Sequence, residues 1–235
     1  MSPQILAVNI AEVRERIARA AQAAGRSVDS ITLLAVGKSQ PVTLLRSAAQ
    51  AGIQHFGENY LQEALGKIEA MRNLPVTWHF IGHIQSNKTR PIAENFAWVH
   101  TIDRLKIAQR LSDQRPYHAP PLNVCLQVNV GDEASKGGAA PADIPALAAA
   151  VAALPRLQLR GLMCLPPPEE DPARQRHWFS QVRQLLESLN AAPGLPPLDT
   201  LSMGMSADLE SAIAEGATIV RIGTALFGPR PTRPA

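Results

Sequence analysis

The sequence has only two cysteines, Cys125 and Cys164, in 235 residues. They lie in separate apolar runs with no CxxC or metal-type spacing. That pattern points away from a disulfide framework or a zinc module and leaves two buried free thiols in a reducing compartment. Long hydrophobic runs are missing too. The longest, Ile144–Leu154, carries Pro145 and falls well short of the ~18 residues of a membrane span. No basic segment leads into an apolar one at the N-terminus, because Asn9, Glu12 and Arg14 soon interrupt Ile5–Val8. A soluble, cytoplasmic protein with no membrane partner is expected. Charge of one sign is scarce: 23 Lys and Arg stand against 20 Asp and Glu, a net charge of +3. So small and evenly spread an excess argues against a nucleic-acid partner and admits an anionic small ligand. Ready-made catalytic signatures are absent as well, with no P-loop, no GxGxxG after a strand, no HExxH and no GxSxG.

What is present is alternation. Short apolar runs recur along the whole chain, at Ile31–Gly37, Ile53–Gly57, Thr77–Gly82, Trp98–Ile102, Leu122–Val130, Gln158–Leu165, Leu198–Met203 and Thr218–Ile222. Several are almost wholly apolar, as parallel strands buried on both faces should be. The segments between them read as helices. Ile10, Val13 and Ile17 form one stripe before the first strand, and Phe179, Val182, Leu185, Leu186 and Leu189 form another after the sixth. Pro41, Pro141 and Pro172 suit first-turn positions, and Gly25, Gly52 and Gly216 suit the position just past a helix. Asp103 and Ser206 are expected as N-caps. Pro91 is expected to interrupt a long helix across Ile84–Asn95. Eight strands alternating with helices give an α/β fold, a single-domain (β/α)8 TIM-type barrel over residues 1–229 with an extra N-terminal helix. Residues 230–235 read as a tail. A doubly wound open sheet is the alternative.

In such barrels the working residues sit at the C-terminal ends of the strands, with phosphate commonly bound after strands seven and eight. Lys38 follows the apolar run Leu33–Val36, where an amine at the rim of the core is a better nucleophile than one in open water; an ordinary rim lysine is the alternative. Ser202 and Ser206 bring hydroxyls after strand seven, and Gly223-Thr224 brings close backbone approach and another hydroxyl after strand eight. Tight turns built from Gly and Ser explain that composition equally well. Arg221 interrupts Ile219-Val220 and Ile222-Gly223, and a barrel-interior arginine needs a carboxylate or a ligand. His79 and His83 do not share a face, so metal binding is not expected.

Five stretches carry a resemblance. They are Leu34-Ala-Val-Gly-Lys-Ser39, His55-Phe-Gly-Glu-Asn-Tyr60, Trp78-His-Phe-Ile-Gly-His-Ile-Gln-Ser-Asn-Lys88, Leu201-Ser-Met-Gly-Met-Ser-Ala-Asp208 and Val220-Arg-Ile-Gly-Thr-Ala-Leu-Phe-Gly228. Together, in this order, they resemble the pyridoxal-phosphate homeostasis protein family, related to the N-terminal barrel of alanine racemase. The resemblance implies that pyridoxal 5′-phosphate is held as a Schiff base on Lys38. It implies a phosphate cradle of Ser202, Ser206, Gly223 and Thr224 with Met203 in the same loop, Arg221 facing the pyridine nitrogen, and Asn59 beside the ring. Gly131-Asp-Glu-Ala-Ser-Lys-Gly-Gly138 is similar to the family's loop after strand five, with Lys136 matching a lysine there. An arginine keeps its proton, so the ring nitrogen it faces stays unprotonated and the ring is a poor electron sink. The chain ends at Ala235, without room for the extra β domain that supplies alanine racemase with its second base. A non-catalytic monomeric carrier serving pyridoxal-phosphate-dependent apo-enzymes is therefore expected, with a weak amino-acid racemase as the alternative.

Overall fold

The computed structural model describes residues 1–131 and 137–229. Lys136 and the expected tail at 230–235 lie outside the described residues. Eight strands, β1 Thr32–Val36, β2 His55–Glu58, β3 Thr77–Phe80, β4 Trp98–Ile102, β5 Leu122–Val128, β6 Leu157–Cys164, β7 Thr200–Ser202 and β8 Ile219–Ile222, pair in chain order and close into a barrel. All the pairings are parallel, and β8 returns to β1 with Thr32 beside Ile219 and Ala35 beside Ile222. Around it run α1 Pro3–Ala23, α2 Val42–Gln50, α3 Leu61–Ala70, α4 Thr89–Asn95, α5 Leu105–Gln114, α6 Ile144–Ala152, α7 Pro172–Ala191, α8 Leu209–Ala214 and α9 Thr224–Phe227. None of the described helices is long and apolar enough to cross a membrane.

The helix α1 forms where the sequence stripe requires it. Ser2 caps its first turn by accepting from the Ile5 N–H, Pro3 starts it, and Leu6, Ile10, Val13 and Ile17 are buried against the neighbouring helices α2, α8 and α9. Gly25, Gly52 and Gly216 all take the positive φ expected just past a helix end.

Other local expectations need correcting. The N-cap of α5 is Arg104, and Asp103 instead pairs with the Arg104 guanidinium at 2.8 Å. Ser206 does not open a helix, because α8 begins at Leu209 with Asp208 at its N-cap. Pro41 occupies the N-cap of α2 and not its first turn. No long helix crosses Ile84–Asn95: a 3-10 turn at Ser86–Lys88 precedes the short α4, and Pro91 lies in the first turn of α4, where a missing N–H costs no intrahelical bond.

Two cores result. The larger lies between strands and helices. Inside the barrel the apolar cluster is small: Leu34, Ile81 and Ile219, with Val36 and Trp98 packed against them. Branched aliphatic side chains usually dominate a barrel interior. Here the buried His79, His100, Ser202 and Arg221 hydrogen-bond to one another across it.

Candidate functional site

A cavity of about 380 Å³ opens at the C-terminal ends of the strands, within the ~300–1,000 Å³ typical of small-molecule sites. Lys38, Asn59, Ser206, Arg221, Gly223 and Thr224 all line it. Val36, Ile81, Met163 and Leu165 add an apolar wall. Ser202 and Met203 do not line it; both are fully buried behind the lining.

Lys38 sits half-buried on the turn that follows β1, with its ammonium 5.9 Å from the centre of the Tyr60 ring. A buried ion cluster clamps that turn. Lys67, from α3, donates to the Gly37 carbonyl at 2.7 Å and to Glu58 Oε1 at 2.8 Å, and it also pairs with Glu63. Glu63 accepts the Ser39 N–H at 2.7 Å, fixing Ser39 at a φ of +61° that few residues other than glycine adopt. Burial outweighs the Lys67 contact at Glu58 and pushes its carboxyl up to about 7. The cluster escaped the sequence reading. Its one visible trace is the i,i+4 spacing of Glu63 and Lys67.

Asn59 stands at the end of β2. Its Nδ2 reaches the Ile81 carbonyl at 3.5 Å, while its Oδ1 is buried without a partner. The chain must pass very close here, because a Cβ on Gly82 would overlap the Asn59 carbonyl.

Arg221 projects from β8 and is only 4% exposed. Its Nη1 donates to the Ser202 carbonyl and, at 3.0 Å, to the Ser202 hydroxyl; its Nη2 donates to the Cys164 carbonyl at 2.8 Å. Among the described residues no carboxylate forms an ion pair with it, so its charge is held in place by neutral oxygens and stays available to a ligand. Gly204, at φ +94°, turns the chain after β7 so that its carbonyl accepts the Arg221 N–H at 2.9 Å. Ser206 Oγ accepts the Ala225 N–H at 3.2 Å, which ties the β7 loop to the first turn of α9. Thr224 is exposed at that rim.

The arrangement therefore offers a nucleophilic amine, a buried cation, an unsatisfied acceptor, an apolar wall and a rim of hydroxyl and glycine positions. A flat heteroaromatic ring bearing an aldehyde and a phosphate fits that set.

Barrel and site together define the class: a (β/α)8 barrel with a lysine after β1, a buried arginine on β8 and a hydroxyl-lined rim between β7 and β8. Residues 8–231 match the family model for the N-terminal domain of alanine racemase. The chain is 63% identical over 225 residues to the pyridoxal phosphate homeostasis protein of Pseudomonas aeruginosa, covering 96% of each chain. It is 53% identical to the protein of that name from Escherichia coli K12, covering 96% of this chain and 97% of the other. Among solved structures, PipY of Synechococcus elongatus PCC7942 with PLP bound superposes with a TM-score of 0.82 at 37% identity, covering 95% of this chain and all of that one. Alanine racemase of Corynebacterium glutamicum shares the fold at a TM-score of 0.68 and 18% identity, over 99% of this chain and 63% of the racemase. The chain belongs to the pyridoxal phosphate homeostasis protein family, within the wider group of alanine racemase N-terminal domains.

Proposed function

We propose that this protein holds pyridoxal 5′-phosphate in the cavity at the strand ends, as a Schiff base on Lys38, and buffers or supplies it in the cytoplasm to pyridoxal-phosphate-dependent apo-enzymes. One observation carries the reading: Lys38, Arg221 and the Ser206, Gly223 and Thr224 rim converge on a single cavity, in a chain related to a protein solved with PLP bound. When bound, the cofactor supplies an aldehyde and an electron-withdrawing ring. Lys38 would supply the amine that bonds to the aldehyde carbon, with water as the group released. Arg221, at the cavity wall, would hold the ring and could not surrender a proton to its nitrogen. Asn59 Oδ1 would offer a buried acceptor to a polar substituent of the ring. Ser206, Gly223 and Thr224 receive the phosphate, and Ser202 acts through Arg221, since its hydroxyl is already engaged by Arg221 and His100.

The test is borohydride reduction of the holoprotein followed by peptide mapping. The reduced adduct is expected on Lys38. Lys38→Ala is expected to lose the adduct while unfolding within about 0.5 kcal/mol of wild type, as substitutions away from core features usually do. A label on another lysine overturns the assignment. Inversion of D- or L-amino acids by the holoprotein would instead favour the racemase reading.

A further inference from the structure

The hydroxyl of Ser202 does not end at Arg221. It lies 2.7 Å from His100 Nδ1; His100 Nε2 lies 2.9 Å from His79 Nδ1; and His79 Nε2 lies 3.0 Å from His55 Nδ1. The line of contacts crosses the barrel interior from β8 through β7, β4 and β3 to β2. Its inner members are buried, with His100, Ser202 and His79 at most 1% exposed. Its outer member, His55, is half-buried and lines a second cavity of about 560 Å³ at the other mouth, among residues that precede or begin β1 and β2. We propose that these four side chains form one directed hydrogen-bond column that orients Arg221 and couples proton uptake at His55 to the grip on Arg221 at the cofactor cavity. The proposal rests on the function above only at its Arg221 end.

Donor counting sets the direction. Arg221 has no acceptor, so Ser202 Oγ takes its N–H with a lone pair and must pass its own hydrogen elsewhere. The neighbouring acceptor is His100 Nδ1. A neutral His100 then carries its hydrogen on Nε2 and donates to His79 Nδ1. His79 in turn donates from Nε2 to His55 Nδ1, and the Nε2–H of His55 points outward. Every contact is satisfied with all three rings neutral. Neutrality agrees with the surroundings. Burial brings His100 down to about 3, with Arg221 adding to the shift, and burial also lowers His79 and His55.

Among the described residues, the charged neighbours are few. Arg14 and Asp29 share the outer cavity with His55. Arg160 of β6 lies 5.0 Å from the Trp98 ring and is paired with Asp199, and Trp98 stacks on His79 at 5.4 Å. The Cys125 and Cys164 thiols are pushed up to about 12 by burial and stay neutral. Asp208 acts on Arg221 electrostatically from the loop after β7. Among the described residues, Arg221 is thus the charge that touches the column.

A proton taken from solvent cannot simply sit on His55 Nδ1, because the His79 Nε2–H already points there. For His55 to accept it, the column must reverse. His55 Nδ1 donates to His79 Nε2, the His79 proton moves to Nδ1, the His100 proton moves to Nδ1, and His100 donates to Ser202 Oγ. One proton enters at His55 and none leaves. Ser202 then accepts from both His100 and Arg221, and its own hydrogen loses its buried acceptor. Its hold on Arg221 weakens.

Histidine-selective nitrogen NMR on the holoprotein tests this. At about pH 8, His79 and His100 are expected as Nε2–H tautomers, and on acidification both should switch to Nδ1–H in step with protonation of His55. His55→Asn keeps an acceptor oxygen for His79 but cannot take up the proton, so the tautomers should stay and the switch should vanish. The ratio of cofactor dissociation constants between about pH 5 and pH 8 should be at least about threefold larger in wild type than in His55→Asn, the scale of one weakened charge-assisted contact. An Nδ1–H tautomer at His100 at high pH, independent titration of the rings, or a switch that survives in His55→Asn overturns the column. The tautomer readout carries no cofactor signal, so it fails or holds separately from the assignment of Lys38.

Discussion

At the scale of single residues, the candidate site divides into groups that line the cavity and groups buried behind them. Lys38, Arg221 and Thr224 could be found from the chain alone, because each breaks a local pattern: a cation after an apolar strand, a cation inside one, a hydroxyl after a glycine. Ser202 carried the same kind of signal, yet it is fully buried between His100 and Arg221. A period of two says which face a side chain takes, not how deep along the barrel it lies. The phosphate reading makes a direct prediction. Charge-assisted hydrogen bonds are worth roughly 1.5–3 kcal/mol each, so Thr224→Ala should weaken pyridoxal 5′-phosphate binding by about tenfold or more in equilibrium titration. The same variant should leave the affinity for pyridoxal, which lacks the phosphate, nearly unchanged. Equal losses for the two ligands would move Thr224 out of the phosphate contact.

At the scale of elements, all eight strands were legible because each is a short apolar run between turn signals. Their ends were less so. The seventh run spans Leu198–Met203, whereas β7 is Thr200–Ser202; Leu198 and Met203 are buried outside the strand, and hydrophobicity reports burial, not ladder bonding. The caps at Asp103 and Ser206 were misread because a polar residue before a helix does not reveal which hydrogen bond its side chain makes. The clamp under the Lys38 turn was invisible for a related reason: Glu58 and Lys67 come from different elements and meet only once α3 packs beside β2. That clamp predicts a large effect. Lys67→Met leaves Glu58 buried beside Glu63 without its cation, and losing one partner of a buried pair typically costs about 3–5 kcal/mol. Urea unfolding should show a loss of that order. Glu58→Gln in the same background should recover part of it by replacing the stranded carboxyl with a neutral amide; no recovery would mean that Lys67 contributes by packing alone.

At the scale of the whole molecule, the polar barrel interior predicts how stability follows pH. The unfolded chain protonates its histidines near 6.5, whereas the folded chain holds His100 down at about 3 and keeps His79 well below its ordinary value. Between those limits the unfolded state binds more protons, so stability rises with pH and is lost as pH falls below about 6.5. Glu58 acts the other way. Its folded carboxyl titrates at about 7 against an ordinary 4.5, so the folded state binds the extra proton in that window and this group alone lowers stability as pH rises through it. With two deeply buried histidines opposing one carboxyl, the acid limb is governed by the histidines. Each proton of difference is worth about 1.4 kcal/mol per pH unit. His100→Gln keeps a polar side chain in the column without a titrating ring. It should therefore flatten the stability profile between about pH 4 and pH 6 by up to that slope, measured by urea unfolding at fixed ionic strength. If His100→Gln lowers stability equally at every pH, His100 contributes by hydrogen bonding and shape, and the acid limb belongs to other groups.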